Sequence, residues 1–453
     1  MAVCRAPVCG KGRSLMESLV LALFVLILAL CLLLGLPTLL ALATGYILFC
    51  IYGLRKGFSL RSLLSMSLSG IRTVKNILLL FVLLGVLTAL WRSAGTIPVI
   101  VSYAALLVRP PLLLILSFLL NALVSFLTGS CFGTSATTGV ICMTMAAALD
   151  VNPVLAGGAV LSGAYFGDRC SPISTSALLV AALTETDIFQ NIRGMVRTAL
   201  VPFFLSCAFY LALGPLSAGG GGSTVDVRAL FSREFQLGWA ALLPAVVLLL
   251  LSLRRVNVML TMLCSIAAAL IVSLVLQGAE PLQLLRFSLT GYQAGDPSLV
   301  PLLNGGGIAS MFNVAAIVCI ASTYAGIFRE TGLLDGLQAK VEALGRRTAP
   351  FFALFCTAAA TALLVCNQSL CIMLTRQMCG QLVPAREDMA LDLENTAVLL
   401  PALVPWSIAC AVPLSTISAP TLSLLAACYI YLVPLCQLLR KGIPQRPAQR
   451  AEN

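Results

Sequence analysis

The sequence predicts an all-α polytopic membrane protein. It should hold two inverted repeats with broken helices or re-entrant segments, and about 10–12 transmembrane segments. Three observations carry this. Hydrophobic residues make up 60% of the 453 and charged residues only 10%, whereas a soluble domain averages about 45–50% apolar and about 25% charged. Apolar runs near the ~20 residues that cross a bilayer recur along the chain. Finally, one set of sequence anchors occurs twice.

Composition also excludes several classes. The formal net charge is +11, but the Lys and Arg are scattered between apolar runs, as cytoplasmic loop charges are, so the expected partner is the lipid bilayer and not a nucleic acid. The 17 cysteines include no CxxC pair and lie mostly alone in apolar runs, where Cys acts as a small hydrophobe. With no His in the chain, neither a zinc site nor a disulfide framework is expected, and no cofactor. Any proton carrier must then be a carboxylate, a Lys or water.

In chain order, the run 15–36 follows Lys11 and Arg13. It is longer than a signal-peptide core and has no clear cleavage site, so it reads as the first span. Further candidate spans are 37–54, 75–91, 111–127, 153–166, 199–213, 236–253, 256–276, 311–328, 349–365, 397–416 and 419–439. Shorter apolar pieces at 97–108, 137–149, 174–183 and 368–378 read as half-helices. The tail with Arg5, Lys11 and Arg13, the segment with Arg55, Lys56, Arg61, Arg72 and Lys75, and the tail with Arg440, Lys441, Arg446 and Arg450 should face the cytoplasm of a cell membrane. Pro37 then marks an external turn, and "GPLSAGGGGS" (214–223) a flexible linker. The expected divisions are N-terminal spans 1–74, repeat 1 at 75–200, linker spans 201–310 and repeat 2 at 311–435.

The repeat rests on "LTALWRSAGTIP" (87–98) and "YAGIFRETGLLD" (324–335). Each is an apolar span ending in aromatic–Arg–x–x–Gly. A polar break follows in each copy, "LTGSCFGTSATTG" (127–139) and "LVCNQSLCI" (364–372), then an acid and a proline: Asp168 with Pro172, Glu394 with Pro405. Gly95 to Pro172 and Gly332 to Pro405 are nearly the same length. Lys75 starts the first copy inside. Arg254 and Arg255 put their loop inside, so the second copy starts outside; its next loop, with Arg329, Lys340, Arg346 and Arg347, is more basic than the matching one with Arg92 and Arg109. The charge bias therefore favours inversion. Inverted repeats with interrupted helices mark secondary transporters and place the site near the bilayer midplane.

Three segments can carry chemistry. In the first break, Thr128, Ser130, Thr134 and Ser135 offer oxygens to a hard cation, and half-helix N-termini suit an anion; the competing reading is a small-residue packing face. Residues 128–138 and 366–369 should both be non-helical. In "SGAYFGDRCSPIS" (162–174), Asp168 lies at membrane depth, where an isolated charge costs at least ~2.5–3.5 kcal/mol and must have a partner. Arg169 is adjacent, but helix neighbours point about 100° apart and do not pair. Pro172 should end the helix, and Ser171, Ser174 and Thr175 add ligands. A surface loop is the alternative. In the second copy, Asn367, Gln368 and Ser369 form the break, and Glu394, Asn395 and Thr396 precede Pro401 and Pro405. Asp168 is the expected cation ligand and principal coupling carboxylate, with Glu394 supporting.

These motifs resemble the NhaC-type sodium/proton antiporters of the ion-transporter superfamily. "SGAYFGDRCSPISTSA" is similar to that family's "SGAYFGDKxSPLSDTT", "TGSCFGT" to its "TGTSWGT", and "LENTAVLLPALVPWS" to its "LEDxGTVTSPLIPWN"; "AGTIP" and "LLNGGG" (302–307) also fit. The resemblance covers about 68–200 and 300–435. It implies two inverted repeats and exchange of Na⁺ for H⁺, and some relatives exchange organic acids. Three family acids are replaced here, by Thr175, Asn367 and Asn395; nearby Thr positions are Val398 and Leu400. Asp168 and Glu394 remain.

The alternative expectation is a carrier of an organic acid or amino acid, sodium-coupled or an exchanger, since hydroxyls and half-helix N-termini suit a small carboxylate as well. An intramembrane aspartyl protease would use a GxGD motif; "YFGD" has Tyr165 at the first glycine, and no second Tyr–Asp context exists. The expectation is a transporter and not an enzyme.

Overall fold

The apolar runs fold as helices because a backbone in lipid must satisfy its own polar groups. The computed structural model describes residues 10–34, 36–217, 227–254, 256–331, 333, 341, 343–345 and 347–441. The first helices are α1 Gly10–Leu33, α2 Thr38–Arg55, α3 Leu60–Thr73, α4 Lys75–Ser93 and α5 Thr96–Leu107. Then come α6 Leu113–Thr128, α7 Cys131–Thr134, α8 Val140–Ala148, α9 Pro153–Cys170, α10 Thr175–Thr184 and α11 Ile188–Ser217. The middle holds α12 Val227–Phe231, α13 Leu243–Leu253, α14 Val258–Val275, α15 Pro281–Thr290, α16 Val300–Leu303, α17 Gly307–Ser310 and α18 Phe312–Thr331. The last are α19 Pro350–Val365, α20 Gln368–Cys379, α21 Arg386–Asn395, α22 Ile408–Thr416, α23 Ser423–Ala426 and α24 Cys428–Lys441. Among the described residues β structure is limited to isolated bridge residues, Tyr292 with Gly305 and Val151.

Among the described residues, five stretches are long and apolar enough to cross a membrane: Thr38–Arg55, Lys75–Ser93, Pro110–Thr128, Cys131–Ala148 and Ile188–Ser217. A sixth is the pair Arg386–Leu403 and Ile408–Thr416, bent by 56° at its break. Leu19–Leu28, Trp239–Leu251, Met259–Val275, Phe312–Phe328 and Pro350–Val365 are shorter and apolar. The surface is what lipid demands: Leu123, Phe126, Val201, Phe204, Ile271 and Val275 point outward, exposed. The interior holds the polar groups, among them Asn121, Ser125, Thr134, Ser162, Asp168 and Arg169. In water this distribution would be inside-out. In a bilayer it buries the groups that lipid cannot solvate.

The tightest helix pair is α6 with α9. A Cβ on Gly167 would lie 2.1 Å from the Phe126 amide nitrogen, and one on Gly163 2.4 Å from the Phe118 carbonyl. Small residues thus let the two backbones touch, and Ser125 Oγ donates across the contact to the Ala164 carbonyl at 2.5 Å. This seats the end of α9 against the end of α6.

Some sequence expectations change. The breaks are narrower than 128–138 and 366–369: only Gly129–Ser130 and Cys366–Asn367 leave the helix. Hydroxyl-rich residues stay helical because Thr134, Thr137 and Thr138 bond back to carbonyls one turn earlier, which satisfies the hydroxyl without opening the backbone. Residues 135–139 form a π-turn. Helix α11 runs unbroken through the boundary placed at 200, and residues 214–217 are helical; the remainder of the expected linker, like Arg5, Arg255, Lys340, Arg346, Arg446 and Arg450, lies outside the described residues.

Candidate ion-binding site

Two helix breaks of the same build define the site. Helix α6 ends at Gly129 in the left-handed conformation (φ 66°), and Ser130 is extended (φ −146°), its side chain accepting from the Gly133 amide. Helix α19 ends at Cys366, also left-handed (φ 59°), and Asn367 is extended (φ −136°), its side chain accepting from the Leu370 amide. Each break thus stops one helix with a left-handed cap and starts another with a side-chain N-cap. The helix-starting groups converge on Asp168, whose carboxylate lies near enough to the backbone N–H of Cys131 to be stabilised by it. Gln368, the first residue of α20, reaches Asp168 Oδ2 with its Nε2 at 3.5 Å and donates to the Val398 carbonyl at 2.8 Å.

Asp168 sits near the end of α9, which stops at Cys170. Ser171 is extended (ψ 136°), as the residue before Pro172 should be. The side chain of Asp168 is 4% exposed. Its remaining contact is Ser176 Oγ, 3.4 Å from Oδ2; the same hydroxyl donates to the Asp168 carbonyl at 3.1 Å and meets Ser174 Oγ at 2.8 Å. Among the described residues no cation pairs with it. A buried carboxylate held only by long bonds to neutral donors is incompletely satisfied when ionised.

Arg169 does pair, but not with its neighbour. It is fully buried, and its Nη2 donates to Asn395 Oδ1 at 2.5 Å and Thr198 Oγ1 at 2.7 Å. Its Nε donates to the Glu394 carbonyl at 3.2 Å, and Nη1 to Tyr429 Oη at 3.2 Å and the Met195 carbonyl at 3.3 Å. Glu394 is likewise fully buried, and neither of its carboxylate oxygens has a hydrogen-bond partner among the described residues. Its charge is coupled to Arg169 and to Asp168. The sequence shows that Arg169 does not pair with Asp168, but not which groups it meets instead. The signal for such a contact was a cation in an apolar segment with no adjacent loop.

The expected site residues divide. Asp168, Ser174, Gln368, Glu394 and Asn395 come together, with Ser176, Arg169 and Thr198 added by the structure. Ser171 accepts from the Ile173 amide and shapes the turn. Thr396 bonds back to the Asp392 carbonyl, and Asn367 is committed to its N-cap. Thr175 and Ser369 are exposed and lie apart from the cluster; each directly follows an inward-facing residue, and one helical step turns a side chain away by about 100°. Thr134 meets Thr128 at 3.3 Å, and buried Ser135 Oγ has no partner. Thr128 and Ser130, with Gly133 and Thr137, form the polar wall of a cavity of about 430 Å³. Leu248, Asn257, Met262 and Ile173 also line it, and Ile173 directly precedes Ser174 of the Asp168 cradle. Among the described residues no three His, Cys, Asp or Glu cluster as for a resident metal. The donors present are one carboxylate with hydroxyls and carbonyls, a set suited to a hard monovalent cation in transit.

The family model of the Na⁺/H⁺ antiporter family matches residues 14–182 and 163–438. The chain belongs to this family. It is 26% identical over 387 residues to the Na⁺/H⁺ antiporter NhaC of Alkalihalophilus pseudofirmus, covering 83% of each chain. It is 26% identical to the malate-2H⁺/Na⁺-lactate antiporter of Bacillus subtilis, over 72% of this chain and 70% of that one. With the arginine/ornithine antiporter ArcD of Halobacterium salinarum the identity is 29%, over 57% and 55%. The protein is thus a multi-pass antiporter of the cell membrane and a transporter, not an enzyme.

Proposed function

We propose that this antiporter exchanges Na⁺ for H⁺ at Asp168, across two inverted repeats at about 75–200 and 311–435. The observation that carries the reading is the buried Asp168 carboxylate, unpaired by any cation among the described residues and placed beside both helix breaks. An H⁺ and a Na⁺ then compete for one carboxylate, so neither leaves the site bare. The like-built breaks support the repeats. Inversion accords with the end contacts: the Asn152 amide donates to the Ser217 carbonyl at 3.1 Å, and Lys441 holds Asp392 at 2.6 Å. Lys441 belongs to the C-terminal segment assigned to the cytoplasm, and on the proposed inversion the Asn152–Ser217 pair lies at the opposite face. The cavity of about 430 Å³ ends at Val256 and Asn257, beside Arg254, and so opens to the cytoplasm.

An organic acid or amino acid, named for two of the relatives, fits the centre less well. Arg169 would be the natural carboxylate receptor, but its donors are committed to protein acceptors. The N-terminus at Cys131 is occupied by Asp168 itself. Everted membrane vesicles test the reading: adding Na⁺ should release protons from the acidified lumen, while malate, lactate or arginine should not. Proton movement driven by a carboxylate or amino acid and not by Na⁺ would reverse the assignment.

A further inference from the structure

Three ionisable groups share the buried centre, and their charges do not cancel. With both carboxyls ionised, Asp168 and Glu394 contribute two negative charges. Arg169 contributes one positive charge that proteins do not remove by deprotonation. The groups bonded to them are neutral: Ser176, Gln368, Asn395, Thr198, Tyr429 and backbone. The neighbouring buried acid, Asp392, is already matched by Lys441 at 2.6 Å. The centre therefore carries a net charge of minus one when empty. A net charge in a low-dielectric interior is costly, so its stable states hold one added positive charge, either one H⁺ or one monovalent cation. With none or two, the centre is left charged.

Resting on the exchange reading above, we propose that the Asp168–Glu394–Arg169 cluster makes this antiporter an electroneutral exchanger of one H⁺ for one monovalent cation. Arg169 acts as a built-in counter-cation that neutralises one of the two acids, and Glu394 sets the count without binding cargo directly. Asn395 is where the count can be changed. Its Oδ1 lies 2.5 Å from Arg169 Nη2, so a carboxylate there would pair with Arg169 outright and leave both Asp168 and Glu394 to be compensated. Asn395→Asp should therefore move the count to two; because cargo has a single seat, at Asp168, two H⁺ would then exchange for one cation, leaving one charge uncompensated per cycle and making transport sensitive to voltage.

The test uses the full chain reconstituted in liposomes holding a pH-sensitive dye. Valinomycin and K⁺ clamp the potential while Na⁺ or Li⁺ gradients drive proton flux. The wild type should reach a final pH difference set by the cation gradient alone, the same with the clamp at zero or at about 100 mV. One uncompensated charge per cycle would instead displace that balance about 50-fold per 100 mV. Asn395→Asp should show such a displacement. A voltage-dependent end point in the wild type overturns the charge count and leaves the exchange reading intact. Exchange by Asn395→Asp that ignores voltage overturns the role given to Arg169. No proton flux with either cation in well-reconstituted wild type overturns the exchange reading and the count with it.

Discussion

At the scale of single residues, the site is a sum of buried charges with unequal partners. Asp168 has only long bonds to neutral groups, so replacing it removes function more than fold. Asp168→Asn should abolish Na⁺-driven proton flux while membrane abundance stays near wild type, since a neutral amide is cheaper to bury than a carboxylate. Flux retained at wild-type level would move the coupling group elsewhere. Arg169 is the opposite case. Its bonds join α9 to α11, α21 and α24, and its removal leaves Glu394 buried without a counter-charge. Arg169→Met should cost about 3–5 kcal/mol, read as lost abundance and a lower midpoint of thermal unfolding in detergent. The sequence suggested that Glu394→Gln would be mild. The structure changes that expectation: without Glu394 the empty centre is neutral and has little attraction for a cation, so flux at limiting Na⁺ should fall about 10-fold or more. Normal flux at limiting Na⁺ would confine Glu394 to a structural part.

At the scale of elements, backbone proximity holds the site. The φ of Gly129 is 66°, and a Cβ there would lie 2.7 Å from Ile173 Cγ1 and 2.8 Å from the Ile173 carbonyl carbon. Gly129→Ala therefore adds left-handed strain to a clash with the turn that positions Ser174. It should destabilise the protein by about 1–3 kcal/mol and depress transport beyond the loss of abundance; unchanged transport per molecule would mean that the break does not position the cradle. Both breaks were legible in the sequence, because polar residues interrupt apolar runs at Gly129–Ser130 and Cys366–Asn367. Half-helices were also legible: 174–183 and 368–378 anticipate α10 and α20. The extent of the breaks was not, since nothing in a run of threonines says whether each hydroxyl opens the backbone or bonds back to it. The partners of Arg169 were not legible for another reason. Asn395 and Tyr429 lie more than two hundred positions away in the chain, and local spacing carries no record of that contact.

At the scale of the whole molecule, the cavity and the charge bias together bear on which side the cargo enters under the exchange reading. The cavity is lined by Asn257, beside the basic loop at Arg254, and by Thr137 and Ile173. With positive loops cytoplasmic, the proposal has the site open inward in this conformation. Cysteines placed at Asn257 and Thr137, in a background stripped of the native ones, should react with a membrane-impermeant cationic thiol reagent in everted vesicles. The same reagent should react at least about ten times more slowly in right-side-out vesicles, where it must wait for the minor outward-open population. Na⁺ should protect the cysteine at position 137, near the cradle, more than the one at 257 at the mouth. Modification at 137 should also stop exchange, because a bulky cation fixed in the cavity blocks the path and repels the cargo. Faster reaction from the outside at both positions would invert the proposed orientation, and equal rates from both sides would mean that the two faces are not gated at all.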